Sequence, residues 1–246
     1  IKLAKTNCFH FILSIFSFLI TDHIVCQTVT VIDGDNENSY VWPNSNYTYH
    51  ISQAIYLANE IGQSGTIESI QFEWDGSYTY TFDNVKIYIA HRAAPEFASI
   101  TDFVPSLDFR DPVYEGSLSV ANSTTWTNVN LDNPFTYNGT ENLVICVVYT
   151  GCGSSCWSGR TRRRFKKLAV GTYRSLGYYS DSQNYTVEPD NQFYSSRRKD
   201  APSLKLTFAP SGPNISASGN LSELSSCNGI TGSNTATYTV GLTNAS

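Results

Sequence analysis

Apolar and polar residues alternate over short stretches along most of this chain, which predicts β-strands. The period of two is clear where Ile70, Phe72 and Trp74 alternate with polar residues, and again over Val85–Ile89. Beyond residue 27 no convincing helical period extends over 12 residues, and the partial exception, Ser52–Ile61, is short and contains β-branched residues. The predicted strands are Thr28–Ile32, Tyr47–Leu57, Thr66–Trp74, Asn84–Ala90, Val113–Val120, Thr125–Leu131, Leu143–Tyr149, Leu168–Tyr173 and Leu204–Phe208.

These strands predict an all-β fold. We expect one antiparallel β-sandwich of jelly-roll or Ig-like type over residues 28–209, because two sheets packed face to face bury the apolar side of each strand. The segment Ala209–Pro213 contains two prolines and a glycine, which predict a linker. We expect residues 210–246 to comprise this linker and a truncated second sandwich of Ig-like type. The predicted core of the first sandwich consists of Ile70, Phe72, Ile87, Ile89, Trp126, Leu143, Ile145 and Val147.

The N-terminal residues 1–27 have the layout of a secretory signal peptide. Lys2 and Lys5 precede a predominantly apolar stretch of 12 residues, Phe9–Ile20, and a short polar segment ends at Cys26 and Gln27. This stretch is too short for a membrane-spanning helix, which needs about 20 residues. Cleavage after Cys26 is the favoured interpretation, and lipidation of Cys26 is a weaker alternative because no small residue precedes it. The signal predicts secretion or display at the cell surface.

The composition agrees with an extracellular β-protein. Charged residues make up 15% of the chain and aromatic residues 13%, as in strand-rich modules with many Thr, Ser and Asn. The net charge of −5 argues against nucleic acid as a partner, and no later run of 18 apolar residues predicts a transmembrane segment. Since the chain lacks methionine and Ser246 falls within a strand-like pattern, we expect a fragment of a longer exported protein.

The cysteines of the exported part predict one disulfide. Cys152 and Cys156 are separated by three small residues, a loop short and flexible enough to close in an oxidising compartment. Metal binding by these thiols is the alternative, but it needs further ligands nearby, which the sequence does not show. Cys146 lies within the apolar run Leu143–Val148 and is expected to be a buried free thiol.

A weak calcium signal lies near the start of the sandwich. Asp33, Asp35 and Glu37 place carboxylates at alternate positions, as in the first half of a calcium-binding loop. Asn38 and Asn44 stand where an EF-hand needs its glycine and its bidentate glutamate, so that type of site is a poor match. Calcium held with the help of other loops is one interpretation and a solvated turn is the other. No other cofactor is predicted.

Aromatic residues are more numerous than a sandwich core needs. Exposed aromatic faces stack on the apolar faces of sugar rings, so some of these residues are candidates for carbohydrate binding. The alternative is that the tryptophans belong to the core and the tyrosines form ordinary cross-strand pairs. The candidate ligand-binding aromatics are Trp42, Tyr78, Tyr80, Tyr178 and Tyr179.

A basic cluster is the second candidate for binding. Six of the eight residues from Arg160 to Lys167 carry a positive charge, although the whole chain is acidic. Arg162, Arg163 and Arg164 are candidates for pairing with an anionic polymer, either a sulfated glycan or DNA. A solvated or protease-sensitive loop is the alternative.

Residues with catalytic potential are few. After residue 27 the histidines are His50 and His91, and we find no nucleophile elbow, zinc-protease motif or phosphate-binding loop. The ordinary interpretation of His91 is a histidine at a strand end that is hydrogen-bonded to a loop carbonyl. We therefore predict that this fragment is not an enzyme.

Three segments carry a resemblance to known proteins, namely Ser52–Phe72, Val85–Arg92 and Leu131–Leu143. They resemble the N-terminal β-sandwich module of large secreted surface proteins from Bacteroidetes-type bacteria. There, such modules precede fibronectin type III or Ig-like repeats, sometimes a peptidase, and a C-terminal type IX secretion sorting domain. The tail Ile215–Val240 resembles the first strands of an Ig-like repeat, whereas Cys152–Lys167 departs from the pattern.

The resemblance and the signal together predict a non-catalytic binding or adhesion module of a secreted, multidomain cell-surface protein. Its expected partner is an extracellular glycan or a surface protein. One alternative is an accessory module that targets a peptidase or glycosidase whose catalytic domain lies beyond residue 246. A structural spacer is the other alternative.

Overall fold

A computed structural model describes residues 26–34, 47–74, 79–104, 111–121, 123, 125–151, 165–182 and 196–210, and the backbone of 214–218 and 239–243. Nearly all of its regular structure is β. One short helix, α1, covers Ala58–Ile61. The strands are β1 (Gln27–Ile32), β2 (Tyr49–Tyr56), β3 (Gly65–Trp74), β4 (Tyr80–Arg92), β5 (Tyr114–Val120), β6 (Thr125–Tyr137), β7 (Asn142–Thr150), β8 (Lys167–Ala169), β9 (Ser175–Ser180), β10 (Ser196–Arg198), β11 (Asp200–Pro202), β12 (Leu204–Phe208), β13 (Asn214–Ser218) and β14 (Thr239–Thr243).

Two antiparallel sheets pack against each other as a β-sandwich. One has four strands in the order β1-β12-β3-β6, and the other has six in the order β10-β9-β2-β7-β4-β5. Strands β1 to β7 together with β12 therefore follow the order of an eight-stranded jelly roll. The residues between β7 and β12 form four further strands. Strands β9 and β10 extend the six-stranded sheet beside β2, whereas β8 and β11 form a separate pair. The predicted sandwich is confirmed, and its strand order is that of a jelly roll.

The core lies between the sheets and confirms most of the predicted positions. Seven of the eight residues expected there are at most 4% exposed, and they belong to β3, β4 and β7. Trp126 is the exception. The alternation along β6 turns Thr127, Val129 and Leu131 inward, so Trp126 lies on the outer side of the sheet and is partly exposed. The assignment of Trp126 to the core is therefore wrong.

The outer side of the six-stranded sheet carries a second apolar cluster, which we call the covered face. Residues 93–104, between β4 and β5, lie over it and contribute Phe97 and Val104. Gln53 fixes this segment from the sheet, because its side chain donates to the Val104 carbonyl at 3.0 Å and accepts from the Val104 N–H at 2.8 Å. The covered face consists of Ile51, Ile55, Ala90, Val144, Cys146, Val148, Leu176 and Tyr178.

The segment after β2 forms a tight helical turn instead of a longer strand. Glu60 in α1 accepts a hydrogen bond from the Leu57 N–H at 3.0 Å and pairs with both terminal nitrogens of buried Arg174, at 2.9 and 2.6 Å. Gly62 ends the turn at φ 73°, a left-handed conformation that glycine adopts without strain. The partial helical pattern in Ser52–Ile61 thus divides into the end of β2 and α1.

Both ends of the chain leave predictions open. The described part of the chain begins at Cys26, and β1 starts at Gln27, the residue that the predicted cleavage would leave first. No helix in the described residues is long and apolar enough to cross a membrane. Strands β13 and β14 pair in antiparallel fashion within the region expected to start a second domain, which stays a prediction.

Candidate functional site

Most of the predicted site residues fall outside the part of the chain that the structure describes. The exceptions are Asp33, Tyr80, Tyr178 and Tyr179. The predicted disulfide, the basic cluster and most of the predicted calcium site therefore stay predictions. The residues outside the described ranges are Asp35, Glu37, Trp42, Tyr78, Cys152, Cys156, Arg162, Arg163 and Arg164.

The strands adjoining those residues meet at one end of the sandwich, which we call the loop end. Tyr49, at the start of β2, pairs with Thr150 at the end of β7 and with Ser180 at the end of β9. In the other sheet Trp74, at the end of β3, pairs with Thr125. The ring of Trp74 lies 6.1 Å from that of Phe82, near the start of β4, so the ends of the two sheets coincide.

Two tyrosines lie together at the loop end. The ring centroids of Tyr47 and Tyr179 are 4.2 Å apart, and both side chains are partly exposed. The buried His50 ring is nearly parallel to that of Tyr179, with the centroids 6.5 Å apart. Tyr179 thus keeps the exposure that the predicted role in ligand binding needs, and Tyr47 joins it as a residue that the prediction did not include.

Tyr80 is partly exposed and Tyr178 is buried. The Tyr80 hydroxyl lies 3.3 Å from the Tyr149 hydroxyl, and its ring packs edge-on against Phe82 at 4.7 Å. Tyr178 is 1% exposed in the covered face, where its hydroxyl donates to the Ile100 carbonyl at 3.2 Å. Both faces of the Tyr178 ring are therefore buried in this structure, and its role in ligand binding stays a prediction.

Asp33 lies beside a close approach of two chain segments. Its neighbour Gly34 donates a backbone hydrogen bond to the Ser203 hydroxyl at 3.0 Å. A Cβ atom on Gly34 would lie 2.2 Å from the backbone carbonyl carbon of Lys167, so only glycine fits there. Asp33 itself is exposed. The described residues contain no group of three potential metal ligands, and the calcium prediction is not tested further.

His91 accepts a hydrogen bond instead of donating one to a carbonyl. Its Nε2 atom receives the Asn138 backbone N–H at 3.1 Å, and its ring lies between 5 and 6 Å from those of Phe135 and Tyr137. Partial burial lowers the pKa of His91, and nearby Glu141 offsets this in part. The bond requires a neutral ring, so this histidine serves as a structural acceptor between β4 and the β6–β7 turn.

Cys146 is a buried free thiol, as predicted. It lies in the covered face, and burial raises its pKa well above the usual range, with a hydrogen bond to Gln53 acting in the opposite direction. A thiol that stays protonated is a poor nucleophile. Cys26, the other free cysteine of the described residues, is exposed.

A surface that the sequence reasoning missed lies on the outer side of the four-stranded sheet. We call it the polar face. Its residues align across the strands in three rows, as the strand pairing places them. The rows are Thr28, Thr207, Ser69 and Asn130; Thr30, Lys205, Gln71 and Asn128; and Glu73 with Trp126.

Side chains of the polar face bond to one another along the surface. The hydroxyls of Thr28 and Thr207 are 3.1 Å apart, and Asn128 donates to the Asn130 side-chain oxygen at 2.7 Å. The Lys205 ammonium lies 4.0 Å from the centre of the Trp126 ring. Since β3 separates their strands, the two side chains meet across it.

The sequence did contain a signal for this surface. Val129 and Leu131 fix which side of β6 faces the core, and residues at the alternating positions, Trp126, Asn128 and Asn130, must then face outward.

A comparison with protein-family models and with curated protein sequences gives no match for this chain.

Proposed function

We propose that this chain is a non-catalytic binding or adhesion module of a secreted, multidomain cell-surface protein. Its partner is an extracellular glycan or a surface protein. The observation that carries this proposal is the partly exposed Tyr47–Tyr179 pair at the loop end, beside the strand ends from which the predicted candidate segments leave. Rigid aromatic rings supply contact area at small entropic cost, and they are enriched where proteins meet partners.

The location of the module outside the cell rests on the predicted signal peptide. The first strand begins at Gln27, so removal of residues 1–26 leaves the described sandwich whole. This fits export followed by folding of the part beyond the signal. The resemblance to secreted surface modules supports the same location.

The test measures binding to an array of extracellular glycans by the full chain and by Tyr47→Ala and Tyr179→Ala variants. We expect binding to at least one glycan class, weakened about tenfold by either substitution, as for central aromatic contacts. The matched control is Tyr114→Ala, because Tyr114 is also partly buried but lies at the start of β5, away from the loop end.

Two results would contradict the proposal. Turnover of a peptide or polysaccharide by the purified chain would show that the module is catalytic. The absence of binding to glycans, together with the absence of binding to proteins extracted from the cell surface, would leave no adhesion partner.

A further inference from the structure

We propose that the polar face is a docking surface for an extended, neutral polysaccharide. This inference rests on the proposed function and adds to it a ligand class and a surface distinct from the tyrosine pair. It is argued from the chemistry, charge and geometry of side chains that the structure describes on all four strands of one sheet.

Most side chains of the polar face are neutral groups that form hydrogen bonds. Hydroxyl and amide groups of threonine, serine, asparagine and glutamine occupy seven of the ten positions in the polar face, and six of these residues are partly or fully exposed, since Ser69 is buried. Each such group can both donate and accept hydrogen bonds, as the hydroxyls of a sugar can. A sugar hydroxyl that loses water on this surface therefore finds a replacement partner.

The polar face carries few charged side chains. Lys205 and Glu73 are the charged members of the polar face, and Glu73 is 7% exposed and paired with Lys166 at 2.9 Å. One exposed cation gives little attraction for a polyanion, and the polar rows give little apolar area for a hydrophobic partner. A neutral, hydroxyl-rich polymer is the class that fits both properties.

Trp126 adds one large aromatic ring to the polar face. A tryptophan on the outer side of a sheet does not contribute to the core between the sheets, yet Trp126 lies across β3 and is held by the Lys205 ammonium. Indole rings combine a large apolar area with one N–H donor, which suits the mixed apolar and polar character of a sugar ring. The contact with Lys205 also restricts the ring before a ligand arrives.

The polar face has the regular spacing of a β-sheet. Neighbouring strands lie about 4.8 Å apart and successive outward residues about 7 Å apart, so the rows form a regular grid about 14 Å wide. The bonds between Thr28 and Thr207 and between Asn128 and Asn130 already orient the polar groups. Groups that are ordered in the free protein lose less entropy on binding.

The test uses electrophoresis of the full chain through native gels that contain one polysaccharide each. The neutral probes are hydroxyethyl cellulose, galactomannan and arabinoxylan, and the anionic probe is polygalacturonate. We expect at least one neutral polymer to retard the wild-type chain. Trp126→Ala should weaken this binding about tenfold or more, whereas Trp126→Phe should retain most of it.

Two matched double variants distinguish a loss of contacts on the polar face from a general effect of removing exposed hydroxyls. Thr28→Val with Thr207→Val removes two hydroxyls that are 3.1 Å apart on the polar face. Thr81→Val with Ser119→Ala removes a similar exposed pair, 3.0 Å apart, on the six-stranded sheet. The first should weaken binding and the second should not. Thermal unfolding of each variant confirms folding, and the threonine variants decide the matter if Trp126→Ala does not fold.

Failure of this inference is distinguishable from failure of the proposed function. Neutral-polymer binding that only Tyr47→Ala or Tyr179→Ala weakens would overturn the polar face as the docking surface and leave the binding function intact. Retardation by polygalacturonate alone, or by none of the polymers, would overturn the ligand class. The function itself would fall only if the glycan array and the cell-surface extract also gave no binding.

Discussion

The two outer sides of this sandwich contrast in composition and in exposure. In the covered face, Val144, Cys146 and Val148 of β7 are buried beneath residues 93–104. In the polar face, Asn128 and Asn130 of β6 are exposed. Both strands turn apolar residues toward the common core, so the difference lies entirely in the alternate positions. One outer side is used to stabilise the fold, and the other is left available for contact with another molecule.

The contrast shows how a connection can become part of a core. Residues 93–104 contain no regular strand or helix, yet they bury Phe97 and Val104 against the sheet. Burial of one large apolar side chain contributes about 1.5–3 kcal/mol. Arg197 fastens the same segment from β10 through hydrogen bonds to the carbonyls of Phe97 and Ala98.

Truncation of one residue in each outer side should give the largest difference. Leu176 is fully buried in the covered face, so Leu176→Ala should lower the free energy of unfolding by about 2–5 kcal/mol. Asn128 is exposed in the polar face, so Asn128→Ala should change it by less than about 0.5 kcal/mol. Urea denaturation measures both, and equal effects would contradict the division of roles.

Two glutamines, one on the outer side of each sheet, allow a second comparison of the two outer sides. Gln53→Ala leaves the Val104 N–H and carbonyl without their side-chain partner, which should cost about 1–3 kcal/mol. Hydrogen exchange should also accelerate in residues 97–104. Gln71→Ala, on the polar face, is the matched control and should leave both the stability and the exchange nearly unchanged. A Gln53 variant with normal exchange would show that the segment is held by its apolar contacts alone.

The reactivity of two cysteines measures how well residues 93–104 shield the covered face. Cys146 is buried with a raised pKa, so in the unprocessed chain, which still carries residues 1–26, iodoacetamide at pH 8 should modify it far more slowly than the exposed Cys26. Peptide mass spectrometry distinguishes the two sites. Gln53→Ala should increase the modification of Cys146 and leave that of Cys26 unchanged. Similar rates at both cysteines in the wild-type chain would mean that residues 93–104 do not cover the sheet.

The smallest expected effect concerns His91, which bonds to the β6–β7 turn and belongs to neither outer side. Since burial lowers the pKa of His91, the unfolded chain binds a proton at this residue more readily than the folded chain does. The stability from His91 is therefore complete above the unfolded pKa of about 6.5 and is lost as the pH falls toward the lower folded pKa. His91→Gln keeps an acceptor for the Asn138 N–H without this titration, so its unfolding free energy should fall less between pH 7 and 5. An equal fall in both proteins would exclude this role for His91.

The sequence was sufficient for the all-β class, most strands and the inner faces of β3, β4 and β7, because alternation identifies a half-buried strand. It was sufficient as well for the buried thiol at Cys146. Strands β9, β10 and β11 were missed, since β10 and β11 have three residues each and β9 contains Gly177 between apolar residues. Their position depends on pairing with distant segments, which local patterns do not encode.

The candidate site was less predictable than the fold. Tyr178 and Tyr179 are adjacent and alike in type, yet alternation in β9 buries the first beneath residues 93–104 and leaves the second partly exposed. Trp126 was assigned to the core, although Val129 and Leu131 already fixed the inward side of β6. Composition identifies aromatic residues, but only the phase of each strand and the packing of the connections decide which rings are accessible.

Hydroxyl-radical footprinting of the full chain, with and without a neutral polysaccharide that it binds, tests most directly whether the polar face is the contact surface. We predict that the polymer reduces oxidation of Trp126 and of the β6 peptide, while oxidation of Tyr114, away from that face, does not change. Unchanged oxidation of Trp126, with protection confined to Tyr47 and Tyr179 or absent altogether, would contradict the account.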